Sequence, residues 1–400
     1  MKSTPWFIGG IVLIIGVAGV AFLYAPEKSD ADIAKETERI VTFCAQTDDH
    51  QKCYEQEVPV LYGAYAIPDL FEIIRRIRTA DPTYQFCHVL AHKLGEAVVA
   101  ENPDAWMDAI PLNPADGMCS NGFIHGVVGG RFRAEVLDDA TLASLKPDFS
   151  RACEARDDWQ PSPLDQAICY HGMGHLYMFI TDAEVRKALS VCEETTDPPG
   201  NPDFRQVCRE GVFMQIYQPL EPDDFLMLER MTVKPSTTTV RQFCALYSDR
   251  TEYEGACLRE SWPFFRKEVV SGTGVGQFCS EQPNTVEEEN CYHSATAIIG
   301  RMSLGKPERA ARACEHLPDT WRHLCFATAA TAVIEESRDA AEAAISLCGR
   351  APSDVAQRCL RTLASRAHFV FGADESRKQA FCGEMPREWQ AECSRIEIGL

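Results

Sequence analysis

Apolar and small residues recur at fixed distances from cysteine along much of this chain. Four residues before the second cysteine of several pairs, one helical turn away on the same face, stands an apolar side chain: Phe204, Tyr253, Trp321, Val355 or Trp389. Three residues after that cysteine stands a small residue: Gly122, Gly172, Gly211, Ser294, Thr328 or Thr362. A bulky residue followed by a small one favours close helix packing, so the pattern predicts stacked helices.

The first cysteine of each pair closes an apolar helical stretch, as at 240–244 and 343–348, and a short polar turn follows it. Each unit is therefore predicted to contain a helix A, a turn and a helix B. The later units recur every 34 to 35 residues, a period typical of αα-hairpin solenoids. The predicted fold is all-α, an αα-hairpin solenoid.

The eighteen cysteines predict nine disulfides between sequence neighbours, which join helix A to helix B within a unit except at Cys87–Cys119, where the bridge would tie two B helices together. An even, regular set of cysteines is typical of an oxidising compartment. No C-x-x-C motif occurs, which removes the usual support for thioredoxin chemistry and covalent haem. The predicted pairs are Cys44–Cys53, Cys87–Cys119, Cys153–Cys169, Cys192–Cys208, Cys244–Cys257, Cys279–Cys291, Cys314–Cys325, Cys348–Cys359 and Cys382–Cys393.

The N-terminal segment is predicted to export the chain. Residues 6–25 are assigned as a transmembrane anchor because they include an uncharged apolar run of 19 residues, just long enough to span a bilayer. A cleavable signal peptide is the alternative, since small residues stand at 19–21. Lys2 places residues 1–5 in the cytoplasm, so we expect a single-pass protein of the cell membrane with a periplasmic or extracellular body.

The charge balance of the chain limits its partners. Lysine and arginine number 39 against 59 acidic residues, and the resulting formal charge of −20 argues against nucleic acid and anionic surfaces. The predicted segments are a linker at 26–39, a histidine-rich helical-repeat half at 40–232, a linker at 233–239 and a regular helical-repeat half at 240–400.

Two resemblances follow from these motifs. Over roughly residues 150 to 400 the hairpin period is similar to that of tetratricopeptide and Sel1-type repeats, whose consensus aromatic, glycine and alanine positions are not reproduced here. The runs CHVLAHKLGEA (87–97), CSNGFIHGVV (119–128), CYHGMGHLYM (169–178) and CREGVFMQ (208–215) resemble uncharacterised exported bacterial Cys/His-rich helical-repeat proteins. The first resemblance implies only architecture, and the second implies no assigned activity.

Histidines supply the only clear chemical signal. Half of the ten fall within one stretch of 88 residues, where they form two i,i+4 pairs and one single residue, and Glu96 extends the first pair by a helical turn. The single residue and one member of the second pair each stand six residues after a cysteine. The repeat therefore places them at equivalent positions on neighbouring B helices. The five are His88, His92, His125, His171 and His175.

These histidines and Glu96, as ligand or base, are predicted to bind a transition metal, since imidazoles with one carboxylate select zinc, iron, copper or nickel over calcium or magnesium. Five histidines exceed the three ligands usual for a catalytic zinc. The excess favours a dinuclear centre, or one metal with further histidines behind its ligands or in proton transfer. Non-covalent haem between two histidines has less support and is not expected.

The competing interpretation is a protein-interaction scaffold without catalytic activity, whose histidines only pack. His293 stands two residues after Cys291, just as His171 stands two residues after Cys169. In the repeat of His293, the position of the second histidine is occupied by Ala297, so a lone histidine is tolerated here. The partner would then be a protein or an envelope polymer bound along the concave helical face. No H-E-x-x-H, G-x-S-x-G or P-loop motif assigns a reaction.

Overall fold

The computed structural model describes residues 28–84, 86–196 and 204–395, which form helices and no β-strand, so the all-α prediction is confirmed. The α-helices of these ranges are α1 Asp30–Cys44, α2 His50–Glu57, α3 Ile67–Ala80, α4 His88–Glu101, α5 Trp106–Ala109, α6 Gly122–Phe132, α7 Asp139–Ala152, α8 Pro163–Ile180, α9 Val185–Thr195, α10 Arg205–Tyr217, α11 Pro222–Arg230, α12 Val240–Cys244, α13 Thr251–Glu260, α14 Arg266–Ser271, α15 Val275–Cys279, α16 Thr285–Arg301, α17 Pro307–Glu315, α18 Asp319–Glu336, α19 Ala341–Gly349, α20 Ser353–Phe371, α21 Glu375–Glu384 and α22 Arg387–Arg395.

Helix α1 begins at Asp30, inside the range 26–39 that was expected to be a linker, so that prediction is wrong from Asp30 onward. Ile33, Ile40 and Cys44 form a buried apolar stripe, and the helix packs against α3. The many charged residues of this segment lie on the opposite face of an amphipathic helix rather than in an unstructured connection.

The predicted anchor at 6–25 lies outside the described residues. Among the helices of the described ranges, none has both the length and the apolar composition needed to cross a bilayer. The predicted linker at 233–239 contains no helix and lies between α11 and α12. One hydrophobic cluster nevertheless continues across it as far as Leu258, and a second cluster takes in the later helices together with Leu164 of α8.

All nine disulfides join the predicted sequence neighbours, with Cα–Cα distances of 5.0 to 5.8 Å, and the chain has no free cysteine. In the later units the bridge joins the end of helix A to the second turn of helix B, as between Cys314 of α17 and Cys325 of α18. Cys87–Cys119 has the largest separation, 32 residues, and joins the start of α4 to the turn before α6.

The B helices pack in chain order, each against the next, through α4, α6, α8, α10, α13, α16, α18, α20 and α22. Helix α20 also packs against α8, so the six helices from α8 to α20 in this series close into a ring. The two helices before it, α4 and α6, extend the stack from α8. The hairpin stacking is thus present, whereas membership of a tetratricopeptide or Sel1 type stays a prediction.

Polar contacts close the seam of the ring. Arg338, just after α18, is 7% exposed and donates hydrogen bonds to Asp165 Oδ1 at 2.5 Å and to Ser162 Oγ at 3.4 Å. It also donates to the carbonyl oxygen of Ala115. The end of α18 is therefore fixed beside the start of α8, which brings the regular half against the histidine-rich half.

Candidate metal centre

Glycines let the histidine-bearing helices pack backbone to backbone. A Cβ atom on Gly126 of α6 would lie 2.0 Å from the carbonyl oxygen of His92 in α4. A Cβ atom on Gly211 of α10 would lie 2.1 Å from the carbonyl oxygen of His171 in α8. Since no side chain fits at either position, each i,i+4 histidine pair is held directly over a neighbouring helix.

The five predicted histidines converge, with His125 of α6 between the two pairs. Its ring centroid lies 5.3 Å from that of His88, 5.5 Å from those of His92 and His175, and 6.1 Å from that of His171. Within the pairs the centroids are 4.5 Å apart for His88 and His92, and 4.9 Å apart for His171 and His175. One ring nitrogen from each of His88, His92 and His125 falls within 4.8 Å of the other two.

Backbone carbonyls determine which nitrogen of two histidines faces this cluster. Nδ1 of His88 lies 3.0 Å from the carbonyl oxygen of Cys119, and Nδ1 of His171 lies 3.0 Å from that of Val207. A carbonyl oxygen only accepts hydrogen bonds, so both Nδ1 atoms carry the proton. Both Nε2 atoms are therefore left with a lone pair.

The start of α11 fixes two more rings. Nδ1 of His92 lies 3.4 Å from Glu221 Oε2, at the N-cap of α11. Nδ1 of His175 lies 2.7 Å from Gln215 Oε1, and the amide nitrogen of Gln215 donates to Asp224 at 2.7 Å. With the proton on the Nδ1 atom that faces each acceptor, Nε2 of His92 and Nε2 of His175 keep a lone pair.

His125 has the opposite tautomer. Its Nε2 lies 3.3 Å from the carbonyl oxygen of Ile168 and donates to it, so Nδ1 carries the lone pair. Each of the five rings therefore has one nitrogen that faces an acceptor and, in this tautomer, a second nitrogen whose lone pair can bind a cation. Metal-binding histidines in proteins have this arrangement, because the partner behind the ring fixes its tautomer and orientation.

The Nε2 atoms of the first pair approach each other. Nε2 of His88 and Nε2 of His92 are 3.0 Å apart, and their Nδ1 atoms both have acceptors. Nitrogens at this distance share either one proton, in an N–H···N hydrogen bond, or one cation, because two facing lone pairs would repel. Two imidazoles bound to one tetrahedral ion at about 2.0–2.1 Å stand about 3.3 Å apart, close to the separation found here.

The carboxylate of Glu96 pairs with an arginine. Its Oε1 pairs with Arg133 Nη1 at 2.9 Å, and the same Arg133 nitrogen contacts Glu221 Oε2 at 2.8 Å. Burial raises the pKa of Glu96 to about 7 in spite of Arg133. Glu221 is instead the carboxylate that reaches His92, and no sequence pattern links it to a histidine 129 residues away.

Enclosure in protein keeps the five imidazoles neutral. Burial is the main cause that lowers the pKa of every one of them, and neighbouring histidines lower it further at His92, His125 and His171. The pKa of His175 falls to about 4. Neutral imidazole is the form that binds metal, so protons compete weakly for these nitrogens near neutral pH.

In metal-free protein we expect these histidines to reduce stability as the pH falls from about 7 to about 5. Their folded pKa lies below the unfolded value of about 6.5, so below that pH the unfolded chain takes up protons first and the free energy of unfolding decreases. For His175 the loss is about 1.4 kcal/mol per pH unit and continues towards its folded pKa of about 4. Denaturant titrations across this range measure it.

A His175→Asn variant isolates this contribution. Burial raises the pKa of Glu96 and Glu260, and carboxyls shifted in this direction give the opposite slope with pH. The stability difference between wild type and variant should therefore shrink as the pH falls. A difference that stays constant between about pH 7 and pH 5 would show that burial does not shift the pKa of His175.

A cleft of about 130 Å³ reaches His88 from the surface, with Phe86, Ser120 and Glu336 among its walls. The backbone beside it is strained, because Cys119, Ser120 and Asn121 have left-handed φ angles of 57°, 52° and 54°. Such conformations cost on the order of 1–3 kcal/mol each and are often found at functional sites. Here they direct the Cys119 carbonyl towards His88, and Ser120 donates a hydrogen bond to Glu336.

Three imidazoles around one ion leave a tetrahedral site with one open position, the arrangement found in catalytic rather than structural zinc sites.

Comparison of this chain with protein-family models, with curated proteins and with solved structures gives no match in any of the three. The histidine cluster is therefore the feature of this chain that points to a function.

Proposed function

We propose that this protein binds a transition-metal ion through Nε2 of His88, Nε2 of His92 and Nδ1 of His125. The observation that carries the proposal is the 3.0 Å approach of the first two nitrogens, in rings whose Nδ1 atoms both face an acceptor. Glycine packing between α4 and α6 brings the third histidine to them. An all-imidazole set suits zinc, copper or iron.

The second pair extends the same cluster. His171 and His175 present Nε2 lone pairs on the other side of His125, and Met214 Sδ lies 3.1 Å from Nε2 of His171. A soft thioether beside an imidazole favours copper(I) among the candidate metals. The number of metal ions per chain distinguishes a mononuclear from a dinuclear centre. With one ion per chain, His171 and His175 only support the ligands; with two ions per chain, they bind the second ion.

The proposed place of action rests on the disulfides. Nine bridges with no free cysteine support an oxidising compartment outside the cytoplasm. We place the protein there, with the cleft at His88 as the route by which water or a small ligand reaches the open metal position. A protein or an envelope polymer stays the proposed partner if the cluster holds no ion.

Elemental analysis of the protein, purified from an oxidising compartment without chelator or histidine tag, tests the proposal. Wild type should carry at least one zinc, copper or iron per chain. His92→Ala removes one of the two facing nitrogens and should abolish stoichiometric metal. His92→Asn should do the same while its amide still donates to Glu221, which separates metal loss from loss of that hydrogen bond.

His293→Ala is the matched control, because this exposed histidine of α16 occupies the repeat position of His171 and its nearest polar partner is Thr328 Oγ1 at 3.5 Å. It should retain full metal content. Wild-type protein without transition metal, even after dialysis against zinc or copper, would leave the histidines as packing groups. In that case His92→Ala should lower stability by roughly 1–3 kcal/mol and the scaffold interpretation would stand.

A further inference from the structure

A second, unrelated cleft of about 640 Å³ lies between α14 and α17. Four of its lining residues are basic, Arg266 and Lys267 from α14 and Arg309 and Arg312 from α17, and no carboxylate lines it. Its volume is in the range of small-molecule sites, about 300–1,000 Å³. We call this feature the basic cleft.

Backbone packing creates the basic cleft. Gly272, after α14, has a φ of 78°, and a Cβ atom there would lie 2.0 Å from the carbonyl oxygen of Ala313 in α17. This contact brings the two helices together and makes Val270 and Ala313, both nearly fully buried, an apolar floor. Arg309 and Arg312 are i,i+3 on α17, so both side chains project over the same side of that floor.

The cations of the basic cleft have no carboxylate partner among the residues that the structure describes. Within the described ranges, Lys267, Arg309 and Arg312 form no ion pair, while Arg266 contacts only the sulfur of Met302 at 3.4 Å and the ring of Trp262. Acidic residues outnumber basic ones by 59 to 39 in this chain, and many other arginines are paired. Four unneutralised cations around one cleft repel each other, a cost that a bound anion would remove.

We infer that the basic cleft binds a phosphate-bearing anion, either free or as the headgroup of a lipid. Guanidinium groups match phosphate oxygens with two parallel hydrogen bonds, and the exposed lysine adds a further charge. The apolar floor has room for the organic part of the ligand. The overall charge of −20 disfavours anions elsewhere on the surface, so binding should be confined to this cleft.

Titration calorimetry with inorganic pyrophosphate, on the full chain in phosphatidylcholine nanodiscs, tests this inference. Wild type should bind it, and Arg309→Ala/Arg312→Ala should bind at least ~10-fold more weakly. Arg309→Lys/Arg312→Lys should retain part of the affinity, because lysine keeps the positive charge but lacks the planar guanidinium group that forms two parallel hydrogen bonds. Nanodiscs that also contain phosphatidylglycerol should weaken pyrophosphate binding if a lipid headgroup is the natural ligand, and should leave it unchanged if the ligand is free.

The matched control is Arg350→Ala/Arg387→Ala, which removes two exposed arginines that do not line the basic cleft. It should bind pyrophosphate as wild type does. The inference is overturned if wild type binds no pyrophosphate, or if the Arg309/Arg312 variant matches wild type while its melting temperature is unchanged. Metal content should be the same in all four proteins, so failure here and failure of the histidine centre are distinguishable.

Discussion

Replacing Gly126 with alanine is expected to lower the free energy of unfolding by about 3 kcal/mol and to abolish the proposed metal binding. The added methyl group would lie 2.0 Å from the carbonyl oxygen of His92 and 2.6 Å from its Cα atom. Both contacts are with backbone, which has no rotamer to change, so α6 must move away from α4. His125 would move with α6, and the three ligand nitrogens would no longer lie around one ion.

Guanidinium unfolding followed by helical circular dichroism gives the stability change, and elemental analysis gives the metal content. Gly383→Ala in α21 is the matched control, because a Cβ atom there meets nothing within 4 Å. That control should be neutral or more stable than wild type by up to ~1 kcal/mol, since alanine is the better helix former. If Gly126→Ala unfolds at the wild-type midpoint and retains metal, α4 and α6 are not packed as described.

Replacing Arg338 with methionine should destabilise the ring seam by about 3 kcal/mol. The substitution keeps an apolar stem but leaves the Asp165 carboxylate, which is 16% exposed, without its cation. It also removes the donor to the Ala115 carbonyl. Denaturant titration measures the loss, and limited proteolysis should show earlier cleavage near residues 115 and 338 as the seam opens.

Arg358→Met is the control for this substitution. Arg358 pairs with Asp354 at 3.0 Å on the surface of α20, where the two side chains are 56% and 70% exposed. Exposed pairs of this kind contribute about 0–1 kcal/mol, so the control should unfold close to wild type. Equal unfolding midpoints for the two methionine variants would mean that Arg338 does not hold the ring closed.

The features that could be predicted from sequence are those set by local spacing. Disulfides between neighbouring cysteines, such as Cys314–Cys325, follow from a hairpin whose helices are adjacent in the chain. Closure of the ring depends on contacts such as Arg338–Asp165, 173 residues apart, which no repeat pattern contains. The helix beginning at Asp30 was missed because its short apolar stripe is masked by frequent charges.

The candidate site divides in the same way. The i,i+4 spacing and the cysteine register were sufficient to select five histidines, because both properties belong to single helices or to the repeat. The acceptors behind the rings were not predictable: Glu221 reaches His92 only through the placement of α11. Glu96 has the right helical position, but Arg133, directly after α6, pairs with its carboxylate. Side-chain partners across helices are set by tertiary packing, on which helical periodicity gives no information.

Closure of the ring also restricts how a chain of this kind can change in length. An open array can gain or lose a unit with little structural cost, because each unit contacts only its two neighbours. Here α20 must return to α8, so deleting one unit of 34 to 35 residues between them would leave a gap that the remaining helices cannot span. Duplication or loss of a unit is therefore tolerable after α20, because the helices before α8 carry His88, His92 and His125 and their connections contact the end of α18.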